Sequence, residues 1–417
     1  MNRYPSAASP EESSAPPSPP GNRVHRYLAR MLLLLFGLIF ALAAFMTLDW
    51  IHTSPILRAL ESDTETGNCR TLDPVRHHAL KANCTSVGHW GSGSYQFVTN
   101  NLGFRDEKMR QVPPAVDQPR ILLLGDSFTE GKAAWSDSYV GKIAAHFPNY
   151  EFLNGGVDSY SPSNYLNVTR SLIGQGVKFD EVIVFIDISD VQDEAAFYQD
   201  VDGSGAVTGP KNREWQIATY AKWRWFLARH FSLTNKLVES FERLAIAKGR
   251  YHLTTVYGDT FDLERSAWTY RKVDESDPYI MGYAPLGVEG GITREQAKMT
   301  QLWEELHAHD IPISVVVYPW PAQVVHDTYD SRQVRIWRDW CQGKCKRFIS
   351  LVPAFLALRD HCPKTRPGCW YLSHFILGDV HYNAMGNAVV ANAVIQSLTE
   401  APPVKSLSPL TNRHHLP

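Results

Sequence analysis

The amino-acid sequence predicts an α/β domain, a three-layer α/β/α sandwich around a parallel five-stranded sheet, preceded by one N-terminal transmembrane helix. Three observations predict this fold class. Five short apolar runs have the length of buried strands, segments with helical spacing lie between several of them, and one much longer apolar run precedes them all. Strands that alternate with helices pair in parallel through right-handed crossovers, which places helices on both faces of the sheet.

The long apolar run covers residues 31–48, and about 20 apolar residues are needed to cross a bilayer. Arg23, Arg26 and Arg30 precede the run, and Asp49 follows it. The positive-inside tendency therefore predicts a transmembrane helix over 28–50, with a cytoplasmic N-terminus and an extracytoplasmic remainder, periplasmic in a bacterium. A cleaved signal peptide is the alternative, but the run is long for one and no clear small-x-small cleavage site follows it.

The segments around this helix complete the predicted domain organisation. Residues 1–22 are rich in Pro, Ser, Ala and Glu and are expected to form a disordered cytoplasmic tail. Residues 51–119 form a lead-in pinned by cysteines, 120–401 form the α/β domain, and 402–417 form a loose tail. An aromatic-rich helical insertion is predicted at about 193–290. Its aromatic side chains are expected to form helix core, with a carbohydrate platform and a membrane-facing surface as the alternatives.

The predicted sheet is assembled from short aliphatic segments that occur in order along the α/β domain. The five predicted strands are residues 121–124, 151–153, 182–186, 313–317 and 348–352. Apolar residues recur at helical spacing over 139–147 and 163–175, which would form the first two crossovers. Further helices are predicted over 293–309 and 383–399.

The six cysteines all follow the predicted membrane helix and fall in local pairs along the chain. They are Cys69, Cys84, Cys341, Cys345, Cys362 and Cys369. This arrangement suits three short-loop disulfides in an oxidising compartment. Cys341 and Cys345 are spaced like metal ligands, but no Cys/His pair completes a zinc set at familiar spacing, so disulfides are favoured. The sequence leaves their connectivity open.

Composition excludes several classes of protein. Hydrophobic residues make up 44% of the chain and aromatic residues 12%, which allows a sizeable core and excludes a mostly disordered protein. The 41 basic residues are balanced by 43 acidic ones, and no basic run with interleaved aromatic residues is present. The sequence therefore predicts no nucleic-acid partner.

A candidate nucleophile lies at the end of the first predicted strand. Gly125-Asp126-Ser127 follows four consecutive aliphatic residues, and small turn-forming residues of this kind stop a strand. Ligands of open α/β sheets bind at the carboxyl ends of the strands. A serine hydroxyl at that edge requires a base that takes its proton and an oxyanion hole.

A candidate base for this serine is His381, one of 16 histidines. It lies in a glycine-bounded loop before a predicted helix, and Asp379 precedes it by two residues. That spacing lets Asp379 accept a hydrogen bond from one ring nitrogen while the other ring nitrogen faces the serine. An Asp-x-His pattern alone is as consistent with a loop that carries a surface histidine.

Two further polar segments follow predicted strands on the same edge of the sheet. Asn154-Gly155-Gly156 comes after the second strand, where backbone N–H groups could point at an anion. Asp187-Ile188-Ser189-Asp190 comes after the third strand. Both segments also have the composition of ordinary turns.

Together, the Gly-Asp-Ser block, the glycine after the second strand, the polar block after the third and the late Asp/His block resemble the SGNH (GDSL-type) hydrolase superfamily. The resemblance covers about residues 121–397, except for the insertion. It implies a flavodoxin-like sheet, Ser127 as nucleophile, His381 as base and Asp379 as the carboxylate that orients the base. The implied oxyanion donors are the backbone N–H groups of Ser127 and Gly156. No cofactor or metal is implied.

The third block departs from the family pattern. The family usually has Gly-x-Asn-Asp, in which the Asn side chain is an oxyanion donor, whereas this chain has Ser189 at the Asn position. Either Ser189 donates in its place or the third donor is missing, and loss of such a donor costs roughly 3 kcal/mol in other hydrolases. Asp126 and Asp190, which flank the site in this reading, are assigned to substrate binding.

The acid also departs from the common pattern, because it lies two residues before the histidine instead of three. This spacing resembles that of membrane-associated SGNH proteins that move or remove acetyl groups on exported polysaccharides. Proteins of that subgroup tend to carry an N-terminal anchor and an Asn-x-Leu-Gly-Phe-Arg stretch, and residues 100–105 resemble that stretch.

The resemblance and the predicted topology thus imply an extracytoplasmic serine esterase or O-acyltransferase that acts on acyl esters, with acetyl as the expected acyl group and exported glycans as a candidate substrate class. The expected partners are an acylated carbohydrate or small ester, the membrane and a membrane-bound acyl donor. One alternative is a catalytically weak glycan-binding or assembly subunit with the same fold. Another is a metal-dependent phosphoesterase, because Asp187, Asp190, Asp193 and Glu194 form an acidic cluster.

Overall fold

The computed structural model describes the chain over residues 21–62, 69–88, 95–201, 205–209, 226–227, 230–248, 259–274 and 276–401. Nearly all of the predicted N-terminal tail and the predicted loose tail at 402–417 lie outside the described residues. The same holds for residues 210–225 of the predicted insertion, which include Trp223 and Trp225.

Strands and helices are numbered here in chain order within the described residues. The strands are β1 (Arg70–Asp73), β2 (His77–Leu80), β3 (Thr85–Gly88), β4 (Tyr95–Thr99), β5 (Arg105–Asp106), β6 (Arg120–Leu124), β7 (Glu151–Asn154), β8 (Glu181–Ile186), β9 (Gln199–Asp200), β10 (Val207–Thr208), β11 (Ile313–Val317) and β12 (Cys345–Ser350). The α-helices are α1 (Gly21–Ser62), α2 (Ser127–Glu130), α3 (Tyr139–His146), α4 (Pro162–Gly174), α5 (Ser189–Gln192), α6 (Ser232–Ala247), α7 (Asp259–Tyr270), α8 (Gly287–His307), α9 (Pro321–His326), α10 (Arg332–Cys341), α11 (Val352–Asp360), α12 (Cys369–His374) and α13 (Ala384–Glu400).

The central sheet has eight strands in the order β12–β11–β8–β6–β7–β5–β4–β3. The first five in that order are parallel and correspond to the five predicted strands. β5, β4 and β3 continue the sheet beyond β7 with antiparallel pairing. The sheet is therefore mixed and larger than the parallel five-stranded sheet that the sequence predicted. The additional strands come from the lead-in, which covers the otherwise open edge of β7.

Helices cover both faces of the parallel part of the sheet, as expected for a three-layer sandwich. α3 packs against α13, and α4 packs against α8. The strand order β7–β6–β8–β11–β12 is that of a flavodoxin-like sheet, and every residue of β6, β8 and β11 is buried. In such a sheet the order in which strands are added reverses between β6 and β8, and a crevice opens at the carboxyl ends of these two parallel strands.

The fifth parallel strand begins and ends earlier in the chain than the strand predicted over 348–352. β12 begins at Cys345 and ends at Ser350, and Val352 already belongs to α11. Pro353 lies in the first turn of that helix, where its fixed φ angle and missing N–H favour a helix start. The apolar residues at the end of the predicted strand therefore begin the helix.

The N-terminal helix α1 contains the segment predicted to cross the membrane. Residues His25–Ser54 have a mean hydropathy of 2.6 and are long and apolar enough to span a bilayer. The large apolar side chains of this segment are exposed, from Tyr27 to Ile51. A helix that is apolar on all sides and packs against little protein is typical of a membrane span.

All six cysteines are paired in disulfides, as the sequence favoured. The bridges join Cys69 to Cys84, Cys341 to Cys345, and Cys362 to Cys369. The first holds the start of β1 beside β3, the second closes the turn between α10 and β12, and the third closes the loop between α11 and α12.

The prediction that the aromatic residues of the insertion form helix core is wrong for Phe226 and Phe241, whereas Trp268 of α7 and Tyr283 are buried. Phe226, Leu237 and Phe241 are 52%, 53% and 65% exposed. These three side chains therefore do not pack into the interior of the α/β domain, although the apolar residues of the segment recur at helical spacing.

A buried arginine ties the lead-in to the start of the central sheet. Arg120 is the first residue of β6, and its Nε donates to Glu151 Oε2 at 2.6 Å. Its remaining nitrogens donate to the carbonyl oxygens of Pro113, Pro114 and Lys178. Arg120 is 1% exposed, so these bonds are made away from water. Glu151 also pairs with Arg110 through its other oxygen, so removal of Arg120 would leave Oε2 and three carbonyl oxygens without a donor.

We expect Arg120→Met to lower the free energy of unfolding by about 3–5 kcal/mol, because three carbonyl oxygens and Oε2 of Glu151 lose their donor. The measurement is thermal and denaturant unfolding of the full chain in detergent. Arg335→Met is the matched control, since Arg335 is about half exposed and pairs with Asp330 on the surface. That control should cost less than about 1 kcal/mol. Equal losses of unfolding free energy in the two variants would show that the buried bonds of Arg120 do not stabilise the fold more than a surface ion pair does.

A second buried ionisable group is the carboxyl of Asp262 in α7. It accepts a hydrogen bond from the N–H of Ala322 at the start of α9, at 2.8 Å. Its other carboxyl oxygen has no partner in the described part of the chain. Burial raises the pKa of Asp262 to about 7, although the nearby Arg265 acts in the opposite direction. The folded protein therefore holds this proton more tightly than the unfolded chain does.

Because the pKa of Asp262 is higher in the folded than in the unfolded state, its contribution to stability is full below about pH 4 and is lost as the pH rises through about 7. Asp262→Asn keeps the acceptor oxygen but cannot ionise. We expect its melting temperature to fall less between pH 5 and pH 8 than that of the unaltered protein. Asp339→Asn, at an exposed carboxylate, serves as the control. Parallel curves for all three proteins would refute this expectation.

Candidate active site

The turn after β6 presents Ser127 at the carboxyl edge of the sheet. Ser127 is the first residue of the short helix α2, and Asp126 caps that helix by accepting the N–H of Phe128 at 2.9 Å. Gly125 makes the turn possible, because a Cβ at this position would overlap the side chain of Thr129. The four aliphatic residues of β6 and this glycine therefore place the serine hydroxyl where the sequence predicted it.

Ser127, His381 and Asp379 form a continuous chain of hydrogen bonds. Ser127 Oγ lies 2.7 Å from His381 Nε2, and His381 Nδ1 lies 2.5 Å from Asp379 Oδ1. A carboxylate can only accept hydrogen bonds, so Nδ1 carries the ring proton and Nε2 accepts the hydrogen of the serine hydroxyl. The structure thus brings together the three residues that the sequence predicted as a catalytic triad.

The loop that carries the acid and the base is held by its own backbone and by Tyr371. The N–H of His381 also donates to Asp379 Oδ1, at 2.9 Å, which fixes the carboxylate and the imidazole relative to each other. The Tyr371 hydroxyl accepts the N–H of Asp379 at 2.9 Å and donates to the carbonyl oxygen of Asp379 at 2.8 Å. Burial raises the pKa of Tyr371 well above its ordinary value, so the hydroxyl keeps its proton. Gly378 turns the loop with a φ of +74°.

Phe128 forms an apolar wall beside the base, and the sequence analysis did not single it out. Its ring centroid lies 4.5 Å from that of the His381 imidazole. Tyr318, Trp320 and Tyr382 surround the same ring. These aromatic rings limit the positions that the imidazole can adopt and keep water away from its face.

Gly156, predicted as an oxyanion donor, has a different function in the structure. Its N–H donates to Asn154 Oδ1 at 3.1 Å, so it is not available to a substrate oxygen. A Cβ at Gly156 would overlap Thr129 and the backbone of Glu130, which explains the glycine by close packing against α2. The assignment of Gly156 is therefore corrected, because its N–H is already used inside the loop.

Ser159 is the alternative donor that the loop offers. Within residues 155–160, the other N–H groups all have acceptors in the described part of the chain, and only the N–H of Ser159 has none. Ser159 has a φ of +67°, a conformation in which glycine is far more common than serine. No glycine marks this position in the sequence, which is why the pattern did not reveal it.

Ser189 does not replace the missing Asn of the third block as a free donor. Its hydroxyl and its N–H both donate to Asp187 Oδ1, each at 2.7 Å. The other oxygen of Asp187 accepts Trp320 Nε1 at 2.7 Å. The hydroxyl hydrogen of Ser189 is therefore committed to Asp187 and not to a substrate oxygen.

Asp126 and Asp190, which the sequence analysis assigned to substrate binding, hold loops instead. Asp190 is 1% exposed and accepts hydrogen bonds from the Tyr165 hydroxyl and the N–H of Asp187. Asp126 is 3% exposed and accepts hydrogen bonds from the N–H of Phe128 and from the Tyr318 hydroxyl, at 2.9 Å each. Burial and the neighbouring Asp187 charge raise the pKa values of Asp126 and Asp190 well above the usual range. Both buried carboxyl groups are thus engaged by donors of the protein itself.

The acidic cluster after β8 does not have the geometry of a metal site. No group of three His, Cys, Asp or Glu side chains in the described part of the chain is arranged to hold a metal ion. Glu194 is bound by the hydroxyls of Ser161 and Ser163 and by Arg294. This arrangement gives no support to the two-metal phosphoesterase alternative.

Arg105 holds α2 from its carboxyl end. Its Nη1 donates to the carbonyl oxygen of Glu130 at 2.7 Å and to that of Gly131, and its Nη2 donates to that of Ala133. The guanidinium is buried and lies 5.3 Å from the centroid of the Tyr95 ring. The stretch that ends in Arg105 therefore supports the segment that carries the nucleophile, because a cation satisfies the free carbonyls at the end of a helix.

Comparison with known proteins gives matches at the level of structure. No protein-family model matches the sequence, and no curated protein matches it. A psychrotrophic esterase from Pseudoalteromonas is 8% identical over 68% of this chain and 98% of its own, with a TM-score of 0.32. A member of the lipolytic G-D-S-L family from Veillonella parvula is 13% identical over 67% of this chain and 98% of its own, with a TM-score of 0.35.

A GDSL-like lipase from Bacteroides thetaiotaomicron is 12% identical over 70% of this chain and 93% of its own, with a TM-score of 0.33. The solved structures that resemble this chain thus include a psychrotrophic esterase, a lipolytic protein of the G-D-S-L family and a GDSL-like lipase.

We expect a fluorophosphonate probe to label Ser127 covalently, because its hydroxyl is hydrogen-bonded to a base that can take its proton. Ser127→Ala should abolish labelling, and His381→Ala should slow it at least about 100-fold, the usual contribution of a general base. Ser373→Ala removes an exposed serine of α12 and should label at the unaltered rate. Intact-mass analysis and peptide mapping of the full chain measure these outcomes. Labelling of Ser127→Ala at the unaltered rate would exclude Ser127 as the reactive group.

Proposed function

We propose that this chain is a membrane-anchored, extracytoplasmic serine esterase or O-acyltransferase of the SGNH type, which acts on acyl esters of exported glycans, with acetyl as the favoured acyl group. The observation that carries the proposal is the hydrogen-bonded chain Ser127–His381–Asp379. It lies at the carboxyl edge of the sheet, after β6, where ligands of this architecture bind.

The geometry supports a two-step acyl transfer. Ser127 Oγ attacks the ester carbonyl while its proton passes to His381 Nε2, and Asp379 stabilises the imidazolium through the bond to Nδ1. The protonated imidazole then gives the proton to the leaving alcohol, which yields the acyl-enzyme. Water or a sugar hydroxyl next attacks the acyl group, with His381 as base, and Ser127 is regenerated.

The negative charge on the carbonyl oxygen needs donors that are already in place. The N–H of Ser127 begins α2 and points outward from a helix start, and the N–H of Ser159 has no acceptor in the described residues. These two groups are the proposed oxyanion hole. Ser189 is not included, because its hydroxyl is bound to Asp187.

Location and substrate are inferred from features outside the triad. Arg26 and Arg30 precede the apolar part of α1, and three disulfides follow it, which supports an extracytoplasmic domain. The two-residue spacing of Asp379 and His381 and the stretch at 100–105 support acetyl esters of exported glycans, through their resemblance to proteins of that kind. A membrane-bound acyl donor would be the partner of the transferase reaction.

A catalytically weak glycan-binding or assembly subunit is the second candidate. The commitment of Ser189 to Asp187 favours it, because the third oxyanion donor of the usual pattern is then missing. Loss of one such donor lowers kcat by about 10²–10³-fold in other hydrolases. The two candidates differ in whether ester turnover depends on Ser127.

We expect the full chain in detergent to hydrolyse 4-nitrophenyl acetate and to release acetate from acetylated oligosaccharides. Ser127→Ala and His381→Ala should each lower kcat by about 10⁴–10⁶-fold, and Asp379→Asn by about 10⁴-fold. Ser189→Ala should lower it by less than about 10-fold, because no oxyanion donor is removed. Release of free acetate is measured beside acetyl transfer to an unacetylated oligosaccharide.

Equal turnover by Ser127→Ala and the unaltered protein would rule out the proposed catalytic triad. Binding of acetylated oligosaccharide without turnover by either protein would favour the subunit. A loss above 100-fold in Ser189→Ala would show that Ser189 acts on the substrate oxygen after all.

A further inference from the structure

Helix α6 has one face that packs against protein and one face that does not. Asn235, Glu242 and Ile246 are buried. On the other side, the exposed apolar residues follow helical spacing of four, four and three, so they form a single stripe along the helix. They are Leu233, Leu237, Phe241 and Leu244, with exposed fractions of 38%, 53%, 65% and 61%. An apolar stripe of this length is unusual on a surface that faces only water.

The exposed charges of α6 are all basic. Lys236 and Arg243 are exposed, as is Lys248, which directly follows the helix. Glu242 is buried, and Glu239 is partly buried and accepts a hydrogen bond from a neighbouring amide. The free surface of α6 therefore combines apolar side chains with positive charge. Helices with this composition lie in the interface of a membrane, where the apolar stripe enters the lipid and the basic residues meet anionic headgroups.

The start of α6 is fixed to the end of the apolar part of α1. Asp49, the first charged residue after that part, is buried against α6. Its Oδ1 accepts the N–H of Leu233 at 2.9 Å, and its Oδ2 accepts the N–H and the hydroxyl of Thr234 at 2.7 and 2.6 Å. One turn later, the Thr53 hydroxyl donates to Ser232 Oγ and accepts the N–H of Ser232.

These bonds place the first turn of α6 at the level where α1 leaves the apolar part of the bilayer. A bilayer-spanning helix brings its end to the membrane surface, so any helix clamped to that end begins at the same surface. The apolar stripe and the basic charges of α6 suit a helix at the membrane surface. The hydrogen bonds to α1 place α6 at that surface on separate evidence.

We propose that α6 is an interfacial helix that lies on the bilayer surface where α1 emerges, with Leu233, Leu237, Phe241 and Leu244 among the lipid chains. The occupant of the exposed stripe is the lipid bilayer, rather than a second protein. The inference rests on the membrane insertion of α1 and is independent of the proposed esterase activity.

The same helix connects the membrane surface to the catalytic loop. α6 packs against α12, and Gly368 immediately before α12 lies so close to the carbonyl oxygen of Ile246 that a Cβ would overlap it. α12 carries Tyr371, which holds the backbone of Asp379. An interfacial α6 therefore fixes the orientation of the active site relative to the bilayer, so that the site faces substrates at a set height above the lipid.

The experiment places one environment-sensitive fluorophore on the full chain in nanodiscs of phosphatidylcholine and phosphatidylglycerol at about 7:3. All native cysteines are in disulfides, so a single introduced thiol is labelled selectively. Phe241→Cys places the label on the stripe, and Tyr329→Cys, at a residue that is 52% exposed, is the control. A lipid spin label near the headgroup should quench the first label at least about twofold more than the second, because only the first would lie within contact range of the lipid.

A second variant tests the stripe itself. Leu237→Ser with Leu244→Ser should reduce the quenching of the label at 241 by at least half, while hydrolysis of 4-nitrophenyl acetate in detergent stays unchanged. Leu237 and Leu244 lie outside the catalytic machinery, so the rate of ester hydrolysis should not change. Equal quenching at 241 and 329 would overturn the proposal. It would also be overturned if the label at 241 were shielded from aqueous iodide but not quenched by lipid, since a protein would then cover the stripe.

Discussion

The turn after β6 is packed around one side chain, Thr129, and the segments that build the active site are fitted to it. Thr129 fills the space in which a Cβ at Gly125 or Gly156 would lie, and it accepts a hydrogen bond from the Tyr139 hydroxyl. Its carbonyl oxygen accepts the side-chain amide of Asn154 at 2.9 Å. Two loops from different strands can approach this closely only because they carry glycine where they meet. The position of the serine hydroxyl is thus a consequence of packing as much as of the strand that precedes it.

The acid and the base are fixed by local means. One carboxylate oxygen of Asp379 accepts both the N–H and the Nδ1–H of His381, which is possible because only one residue separates them. A more distant acid would depend on the packing of separate elements for the same alignment. Here the alignment depends on a loop of a few residues and on Tyr371, so the histidine arrives at Ser127 already oriented. This explains how an Asp two residues before the base can serve as the orienting group.

Much of the parallel sheet and the triad could be predicted from the sequence, because buried strands are aliphatic runs and the triad residues lie in short, distinctive blocks. Other features gave no such signal. β3 to β5 are short and mix polar with apolar residues, so the sequence did not predict the three antiparallel strands of the sheet. Ser159 has the backbone of a glycine without being one, and the N–H of Gly156 is used by a neighbour that only the fold brings near. The exposed stripe of α6 has the same periodicity as a buried one, because a sequence pattern records that a face is apolar but not whether protein or lipid covers it.

The bridge between Cys362 and Cys369 has a consequence for the order in which the molecule matures. It closes the loop that leads into α12, and α12 carries the tyrosine that holds the backbone of Asp379. Disulfides form after a chain leaves the reducing cytoplasm. With the proposed extracytoplasmic placement, the newly made chain would lack this closure until export, and the loop that leads to Tyr371 and Asp379 would be closed only in the outer compartment.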